Sequence, residues 1–146
     1  MKLYLDVCCL NRPFDDQNQD RIHLESEAIM TILRRIETGH WTWLNSSVVL
    51  YEVNQMPNSD RKHRILKMCS KAATVLKLNP EIYTIADCLH KLGFKSYDGL
   101  HLACAKQAKV DIFLTTDDKL LKKAKNNQDI MQLAVDNPLH WLQGVL

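Results

Sequence analysis

Four acidic residues in this chain each lie beside an otherwise apolar segment, which is a costly setting for a charge. They are Asp6, Glu52, Asp98 and Asp117. Asp6 ends the apolar run LYL, and Asp117 follows the stretch IFLTT. A buried carboxylate needs hydrogen bonds, a cation partner or a metal ion to offset its charge. These four residues are therefore the first candidates for chemistry.

Each of these acids also has an ordinary structural explanation. Asp98 and Asp117 lie near predicted helix starts, where a negative charge complements the helix dipole by about 0.3–1 kcal/mol. Glu52 could be a solvated residue on an amphipathic helix, and Asp6 could belong to a loop. These explanations weaken when the four are taken together, because all four are embedded in apolar segments.

If strand ends and helix starts converge, several carboxylates face one small space. Like charges at short range repel one another and raise their pKa values. A divalent cation relieves that repulsion, and Mg²⁺ takes oxygen ligands while keeping several of its waters. The sequence has no Cys/His spacing typical of zinc, so an oxygen-rich site suited to Mg²⁺ or Mn²⁺ is favoured. Such a site activates water and polarises a phosphate, which indicates metal-dependent phosphodiester cleavage.

The elements that would position these acids alternate between strands and helices. Apolar runs predict strands at 2–5, 41–44, 74–78, 111–115 and 131–135, with a loop after the first. Helical spacing predicts helices at 20–38, 46–53, 60–72, 80–93, 97–108, 117–127 and 138–143. The predicted caps are Asn45 or Ser46 for the second of these helices, Asn79 for the fourth and Ser96 for the fifth. Gly39 is placed to end the first long helix.

This alternation indicates a parallel sheet with helices on both faces. In open parallel sheets, functional sites form beyond the carboxyl ends of the strands. Asp6 stands at one such end and Asp117 at another, so the sequence predicts that both lie at the same edge of the sheet.

Length and composition limit the classes of protein that this chain can represent. Its 146 residues predict a single domain over 1–146, and 46% apolar with 25% charged residues is typical of a globular protein. The net charge of +2 gives no global nucleic-acid signature, so any RNA binding must come from a local patch. Neither a membrane-length apolar run nor a signal peptide is evident, and the five cysteines form no C-x-x-C pair. A cytoplasmic protein with reduced thiols is expected.

Four segments, taken in order, resemble the PIN-domain family of small metal-dependent ribonucleases, which includes the VapC-type toxins. They are LYLDVCCLNRPFD, NSSVVLYEV, SYDGLHLACA and DIFLTTDDKLL, and together they span most of the chain. The resemblance implies a three-layer α/β/α sandwich with a central, mainly parallel sheet. It also implies Mg²⁺ or Mn²⁺ at a carboxylate cluster and endoribonuclease chemistry by metal-activated water.

Within this resemblance, Asp6, Glu52, Asp98 and Asp117 match the acidic positions of the family. Asp6, Asp98 and Asp117 are the expected metal ligands, and Glu52 is expected to act more through water. Because Asp118 directly follows Asp117, either aspartate could be the last of the family's acids.

Two further positions match polar residues that the family places near its acids. Thr115 or Thr116 matches a hydroxyl residue that could orient a ligand or water, although a plain strand-end threonine is the alternative. Asn11 could orient a ligand or the scissile phosphate, or it could cap its own loop. The chain departs from many relatives at Val7, where a hydroxyl residue often follows the first acid.

Basic residues offer candidate contacts to RNA phosphates. The segment DRKHRILK carries Arg61, Lys62 and Arg64, which could hold an RNA backbone or form a solvated helix face. Arg12 is expected beside the metal site, where it could contact phosphate or cap its own loop.

Histidine and tryptophan residues add two more open interpretations. His101 lies three residues after Asp98, so it could hydrogen-bond a ligand carboxylate or be a partly buried core residue. The tryptophans could stack RNA bases or belong to the core or an interface; they are Trp41, Trp43 and Trp141.

Toxin-type relatives pair with a protein inhibitor and commonly dimerise, so the resemblance implies an antitoxin partner and a homodimer in addition to RNA. Two other classes of protein compete with the nuclease. A phosphatase of another α/β family is disfavoured, because Asp6-Val7-Cys8 lacks the D-x-D of aspartyl phosphatases. The remaining alternative is a non-catalytic PIN-like RNA-binding or scaffold protein, which need bind no divalent ion.

Overall fold

The structure is a computed structural model that describes all residues from Met1 to Leu146. Five parallel strands form one sheet in the order β3-β2-β1-β4-β5. Their bounds are β1 Lys2–Leu5, β2 Thr42–Ser46, β3 Thr74–Leu76, β4 Ile112–Leu114 and β5 Val135–Asp136. Because all five strands run the same way, their carboxyl ends lie at one edge of the sheet.

Nine helices and one 3-10 turn connect and cover the strands. The helices are α1 Val7–Asn11, α2 Asp20–Glu37, α3 Ser47–Asn54, α4 Ser59–Cys69, α5 Pro80–Lys91, α6 Ser96–Gln107, α7 Asp118–Asn126, α8 Gln128–Met131 and α9 Pro138–Val145, with the 3-10 turn at Arg12–Phe14. This arrangement confirms the predicted α/β/α sandwich with a parallel central sheet. None of the helices has the length and apolar content needed to cross a membrane.

The first strand is the centre of the core. Leu3 pairs with Trp43 on one side and with Ile112 on the other. Tyr4 is fully buried, and its ring stacks on Phe113 with centroids 5.2 Å apart. Since both faces of β1 are covered, the chain that leaves its carboxyl end must emerge from the densest part of the protein.

The core interpretation of the three tryptophans is confirmed. Trp43 is fully buried in β2. Trp41 and Trp141 lie against the core, and their ring centroids are 4.9 Å apart. All five cysteines are free thiols, as the sequence predicted.

The local signals at helix ends are mostly confirmed. Asn79 caps α5 through its side chain, which accepts a hydrogen bond from the Ile82 amide at 2.9 Å, and Pro80 begins that helix. Gly39 has φ +80, the left-handed conformation that ends α2. Ser96 is a correction: Lys95 holds the N-cap position of α6, and Ser96 is the first helical residue.

Two predicted elements near the chain ends are wrong. The segment after β1 is not a loop but the helix α1, because the Asp6 carboxylate accepts the Val7 amide proton at 2.8 Å and so caps a helix start. The predicted strand at 131–135 is also largely wrong. Met131 ends α8, and Gln132 then takes φ 50 before β5 begins at Val135.

Other boundaries differ by a few residues. β2 continues to Ser46, two residues beyond its predicted end, because its last residues pair with β3. The basic helix α4 begins at Ser59 behind an Asn58 cap and ends at Cys69. The strand shift follows from a pairing between distant segments, whereas the helix start follows from the local Asn58 cap.

A buried ion-pair group joins α2 to the rest of the fold. Glu25 is 1% exposed, and its carboxylate binds Arg12 at 2.8 Å, Arg21 at 3.3 Å and the Asn137 side chain at 2.6 Å. These contacts connect α2 with the 3-10 turn and with the segment before α9.

Replacing this carboxylate is expected to destabilise the fold. We expect Glu25→Ala to lower the free energy of unfolding by about 2–3 kcal/mol, because it removes several charged hydrogen bonds at once. Urea unfolding followed by circular dichroism measures the change. The exposed neighbour Glu27→Ala is the control, and equal effects of the two variants would contradict the assignment.

Candidate active site

One threonine hydroxyl connects two of the predicted acids at the carboxyl edge of the sheet. Asp6 follows β1, and its amide donates to the Leu114 carbonyl at the end of β4 at 3.0 Å. The Thr115 Oγ1 donates to Asp6 Oδ2 at 2.9 Å and accepts the Asp117 amide proton at 3.1 Å. Thr115 therefore fixes the Asp6 carboxylate relative to the backbone of Asp117.

Asp6 and Asp117 each cap a helix that leaves this edge. Asp6 is 7% exposed, and its Oδ1 accepts from the Val7 amide. Asp117 Oδ1 accepts from the amides of Lys119 and Leu120 at 3.0 and 3.2 Å. Each carboxylate thus uses its Oδ1 for a backbone contact, while Oδ2 of Asp6 accepts from Thr115 and Oδ2 of Asp117 accepts no hydrogen bond within the protein.

Asp98 is the third acid, in the first turn of α6. It is half-buried and lines a small cavity of about 120 Å³ together with Asp117. Burial, the largest cause, and the negative charges of Asp6, Asp117 and Glu52 together raise the pKa of Asp98 from 3.8 to about 6. This cause shows that the four predicted acids share one electrostatic environment.

Glu52, the fourth acid, lies on α3 and is held by a histidine. Its Oε1 lies 2.5 Å from His101 Nε2, and His101 Nδ1 lies 2.7 Å from the Tyr4 hydroxyl. His101 is 1% exposed. Both interpretations offered for this histidine therefore describe it, since it is buried and also hydrogen-bonds a predicted site acid.

Three of the four acids at this edge have no cation partner. Asp6, Asp98 and Asp117 form no ion pair, whereas Asp118 binds Arg21 at 2.6 Å. That hydrogen bond lowers the pKa of the exposed Asp118. Of the two adjacent aspartates, the structure therefore places Asp117 beside Asp98 and Asp118 in a separate ion pair.

Of the remaining predicted polar residues, only Thr115 contacts one of the site acids. Thr115 contacts Asp6, whereas the Thr116 side chain makes no hydrogen bond and its carbonyl accepts from Arg21 at 3.4 Å. Asn11 donates to the Val7 carbonyl at 3.3 Å, so it stabilises its own helix rather than contacting an acid.

Residue 7 is a valine, where the resemblance implied a hydroxyl residue beside the first acid. Val7 belongs to the buried core. The next side chain, Cys8, lies against the site instead, with its Sγ 3.4 Å from Asp6 Oδ2 and 3.3 Å from Thr115 Oγ1. A thiol and a threonine hydroxyl, rather than a hydroxyl at position 7, therefore surround the first acid.

The predicted RNA-binding arginines are engaged in contacts within the protein. Arg12 binds Glu25 and Asp15, and Arg61 binds Asp15 at 3.1 Å and the Phe14 carbonyl at 2.5 Å. Arg12 and Arg61 line a cavity of about 460 Å³ that also contains Cys8. The cavity is next to the site, but their guanidinium groups already have carboxylate partners.

The other two predicted basic contacts lie on α4. Arg64 pairs with Asp60 at 3.1 Å on the exposed face of the helix, and Lys62 forms no ion pair. An RNA contact by these side chains stays a prediction.

Two lysines that the sequence analysis did not single out are better placed. Lys95 and Lys119 line the small cavity that contains Asp98 and Asp117. Neither lysine forms an ion pair. Their closeness to the predicted acids along the chain could have identified them, since Lys95 precedes Asp98 by three residues and Lys119 follows Asp117 by two.

The chemistry of these donors fits a hydrated Mg²⁺ or Mn²⁺. No three His, Cys, Asp or Glu side chains form a preassembled coordination group. The acids nevertheless provide only oxygen donors, lack cation partners and repel one another enough to contribute to the raised pKa of Asp98. A cation that retains several waters reaches such spaced carboxylates through those waters.

Comparisons with known proteins agree with this architecture. A family model described as the PIN domain matches residues 3–126. The crystal structure of VapBC2 from Rickettsia felis bound to a promoter DNA fragment is similar, with a TM-score of 0.61 and 15% identity over 94% of this chain and 98% of that chain. PAE2754 from Pyrobaculum aerophilum gives a TM-score of 0.53 and 17% identity over 99% and 90% of the two chains. No curated protein matches the sequence. At these identities the solved structures establish the fold alone.

The raised pKa of Asp98 predicts that this residue weakens the metal-free fold at neutral pH. Between pH 3.8 and about 6 the native state binds more protons than the unfolded chain, so wild-type stability falls as pH rises through this window. We expect Asp98→Asn to raise the free energy of unfolding at pH 8 by about 1–2 kcal/mol, after discounting for solvent screening.

Urea unfolding with a chelator, at pH 4 and pH 8, measures this effect. The gain from Asp98→Asn should nearly disappear at pH 4, where the wild-type carboxyl is protonated. Asp118→Asn is the matched control and should not stabilise the protein, because its pKa is lowered by Arg21. An Asp98→Asn gain that is the same at both pH values would contradict the prediction.

Proposed function

Because the chain belongs to the PIN-domain family, we propose that it is a divalent-metal-dependent endoribonuclease. The observation that carries the proposal is the proximity of Asp6, Asp98 and Asp117 at one sheet edge, where Asp98 and Asp117 line one cavity and the charges of Asp6 and Asp117 help to raise the pKa of Asp98. PIN domains of the VapC type are generally nucleases, and this arrangement of acids suits that chemistry.

In this proposal, Asp6, Asp98 and Asp117 hold Mg²⁺ or Mn²⁺. When bound, the metal lowers the pKa of water and polarises a phosphate oxygen. Thr115 keeps Asp6 oriented, and the Val7 amide holds its other oxygen. Glu52 presents its Oε2 to the site and accepts the proton of the attacking water as general base.

Two features beside the acids support a single-stranded RNA substrate. Tyr51 and Tyr97 are 54% and 45% exposed, their ring centroids are 6.1 Å apart, and each directly precedes a site acid. Exposed aromatic rings stack on unpaired bases. Lys95 and Lys119 supply positive charge for the phosphates in the cavity that Asp98 lines.

The partner proposals rest on the family relationship. The similar structure from Rickettsia felis is a VapBC2 assembly bound to a promoter DNA fragment. We extend from it the proposal that this chain is the toxin of a toxin–antitoxin pair, that a protein antitoxin covers its acidic edge and that it forms a homodimer. A cytoplasmic location is proposed on the evidence of its five free thiols.

The first test is metal-dependent cleavage. Wild-type protein in Mn²⁺ or Mg²⁺ should cleave members of a mixed set of structured and single-stranded RNAs, and a chelator should abolish cleavage. Asp6→Asn should lower the rate by more than about 100-fold, since even the outer partners of metal ligands contribute 10–100-fold. Gel analysis of end-labelled RNA gives the rates.

Asp118→Asn is the control for this experiment and should retain most of the activity, because Asp118 pairs with Arg21 away from the other acids. Absence of cleavage together with absence of Mn²⁺ binding by calorimetry would refute the enzyme. That result would favour the alternative of a non-catalytic RNA-binding or scaffold PIN domain.

The second test concerns the lysines. Lys119→Ala should raise the KM for RNA about 3–10-fold and reduce the salt dependence of binding by about one charge, with kcat nearly unchanged. Arg34→Ala removes an exposed cation near the far end of α2 and should alter neither value. Equal effects of the two variants would show that only net charge matters.

A further inference from the structure

A chain of four polar side chains leads from the core to the acidic edge. Ser46 Oγ lies 2.6 Å from the Tyr4 hydroxyl, which lies 2.7 Å from His101 Nδ1, and His101 Nε2 lies 2.5 Å from Glu52 Oε1. The first three residues are almost completely buried, and only Glu52 reaches the surface. The chain thus ends at one of the acids of the proposed site.

We infer that His101 is the positioning residue for Glu52, holding Oε1 so that Oε2 faces the site. This inference rests on the proposed nuclease function. It concerns how the general base is aimed, whereas the carboxylates that hold the metal are a separate group.

The hydrogen-bond inventory fixes which ring nitrogen must carry the proton. An ionised carboxylate only accepts, so His101 Nε2 must donate to Glu52. With a neutral imidazole, Nδ1 then accepts from the Tyr4 hydroxyl, and Tyr4 accepts from Ser46. The polar side-chain atoms of Ser46, Tyr4 and His101 all have partners in this assignment, and Ser46 Oγ also accepts the Val49 amide proton at 3.3 Å.

The burial of Tyr4 keeps this arrangement defined. Its pKa is raised well above the usual value by desolvation, so the phenol keeps its proton and can donate to His101. A neutral donor at Nδ1 and a carboxylate at Nε2 orient the ring from both sides, as the outer partners of functional side chains do.

The position of His101 on α6 explains why this link matters for the site. Residues three apart on a helix lie on nearly the same face, so His101 follows Asp98 along the side that faces the acids. Its bond to Glu52 joins α6 to α3, the two helices that carry Asp98 and Glu52. Losing the bond would free the Glu52 side chain, which is otherwise held by no hydrogen bond.

The first measurement uses the wild-type protein and needs no nuclease activity. Long-range ¹H–¹⁵N correlation of the imidazole should show a protonated Nε2 whose proton exchanges slowly with solvent. In Glu52→Ala that exchange should become at least about tenfold faster, because the partner is missing. An unprotonated Nε2 in the wild type would overturn the inference.

Two substitutions then separate the ring's two contacts. The Gln side chain reaches the position of Nε2, so His101→Gln keeps a donor for Glu52. The Asn side chain reaches only the position of Nδ1, so His101→Asn keeps an acceptor for Tyr4 but loses Glu52. A histidine with a purely structural role would make both variants lose activity in proportion to their lost stability.

Steady-state cleavage of RNA at saturating Mn²⁺ should distinguish the two. His101→Gln should keep kcat within about threefold, and His101→Asn should lower kcat about 10–100-fold with KM and the Kd for Mn²⁺ each within about threefold. Equal kcat for both variants, or a His101→Asn defect confined to the Kd for Mn²⁺, would overturn the inference. If wild type cleaves no RNA, the proposed function fails, and the imidazole measurement still decides whether His101 holds Glu52.

Discussion

The arrangement of this protein depends on hydrogen-bonding the Asp6 carboxylate, which follows three fully buried strand residues. That carboxylate is 7% exposed and has no cation partner, so hydrogen bonds must replace water. The Val7 amide serves one oxygen and the Thr115 hydroxyl serves the other. The first contact requires α1 to begin directly after β1, and the second requires β4 to lie beside β1. The start of α1 and the position of β4 beside β1 are therefore both needed to hydrogen-bond Asp6.

The distribution of positive charge follows from the same requirement. Arg12 and Arg21 both bind the buried Glu25, and Arg21 also binds Asp118, so both guanidinium groups pair with carboxylates other than Asp6 and Asp98. A carboxylate group neutralised by arginine would be more stable but would have less affinity for a divalent cation. The fold therefore accepts repulsion at its carboxyl edge, and it places its strong ion pairs where α2 meets the rest of the chain. A local cost that other contacts offset is typical of functional sites.

Sequence patterns predicted the parts of this structure that depend on neighbours along the chain. The strand at Lys2–Leu5 and the Asn79 cap with Pro80 follow from residues within one short segment. The partners of Arg12 and Arg61 could not be predicted in this way, because each guanidinium chooses among several carboxylates that only tertiary packing brings close. The strand expected at 131–135 failed because its alternating apolar residues are buried equally well when Met131 ends a helix. The four acids could be chosen as candidates because a charged residue within an apolar segment is evident from the sequence alone.

The valine at position 7 is compatible with a fully hydrogen-bonded Asp6 carboxylate. Because α1 starts at Val7, that side chain turns into the core, and the following side chain, Cys8, turns toward Asp6. A hydroxyl at position 7 would meet apolar neighbours in this fold and would leave a polar group buried without a partner. Thr115, directly after β4, donates to the other oxygen of Asp6 and accepts from the Asp117 backbone. Both oxygens of Asp6 therefore have hydrogen bonds although residue 7 contributes only its backbone amide.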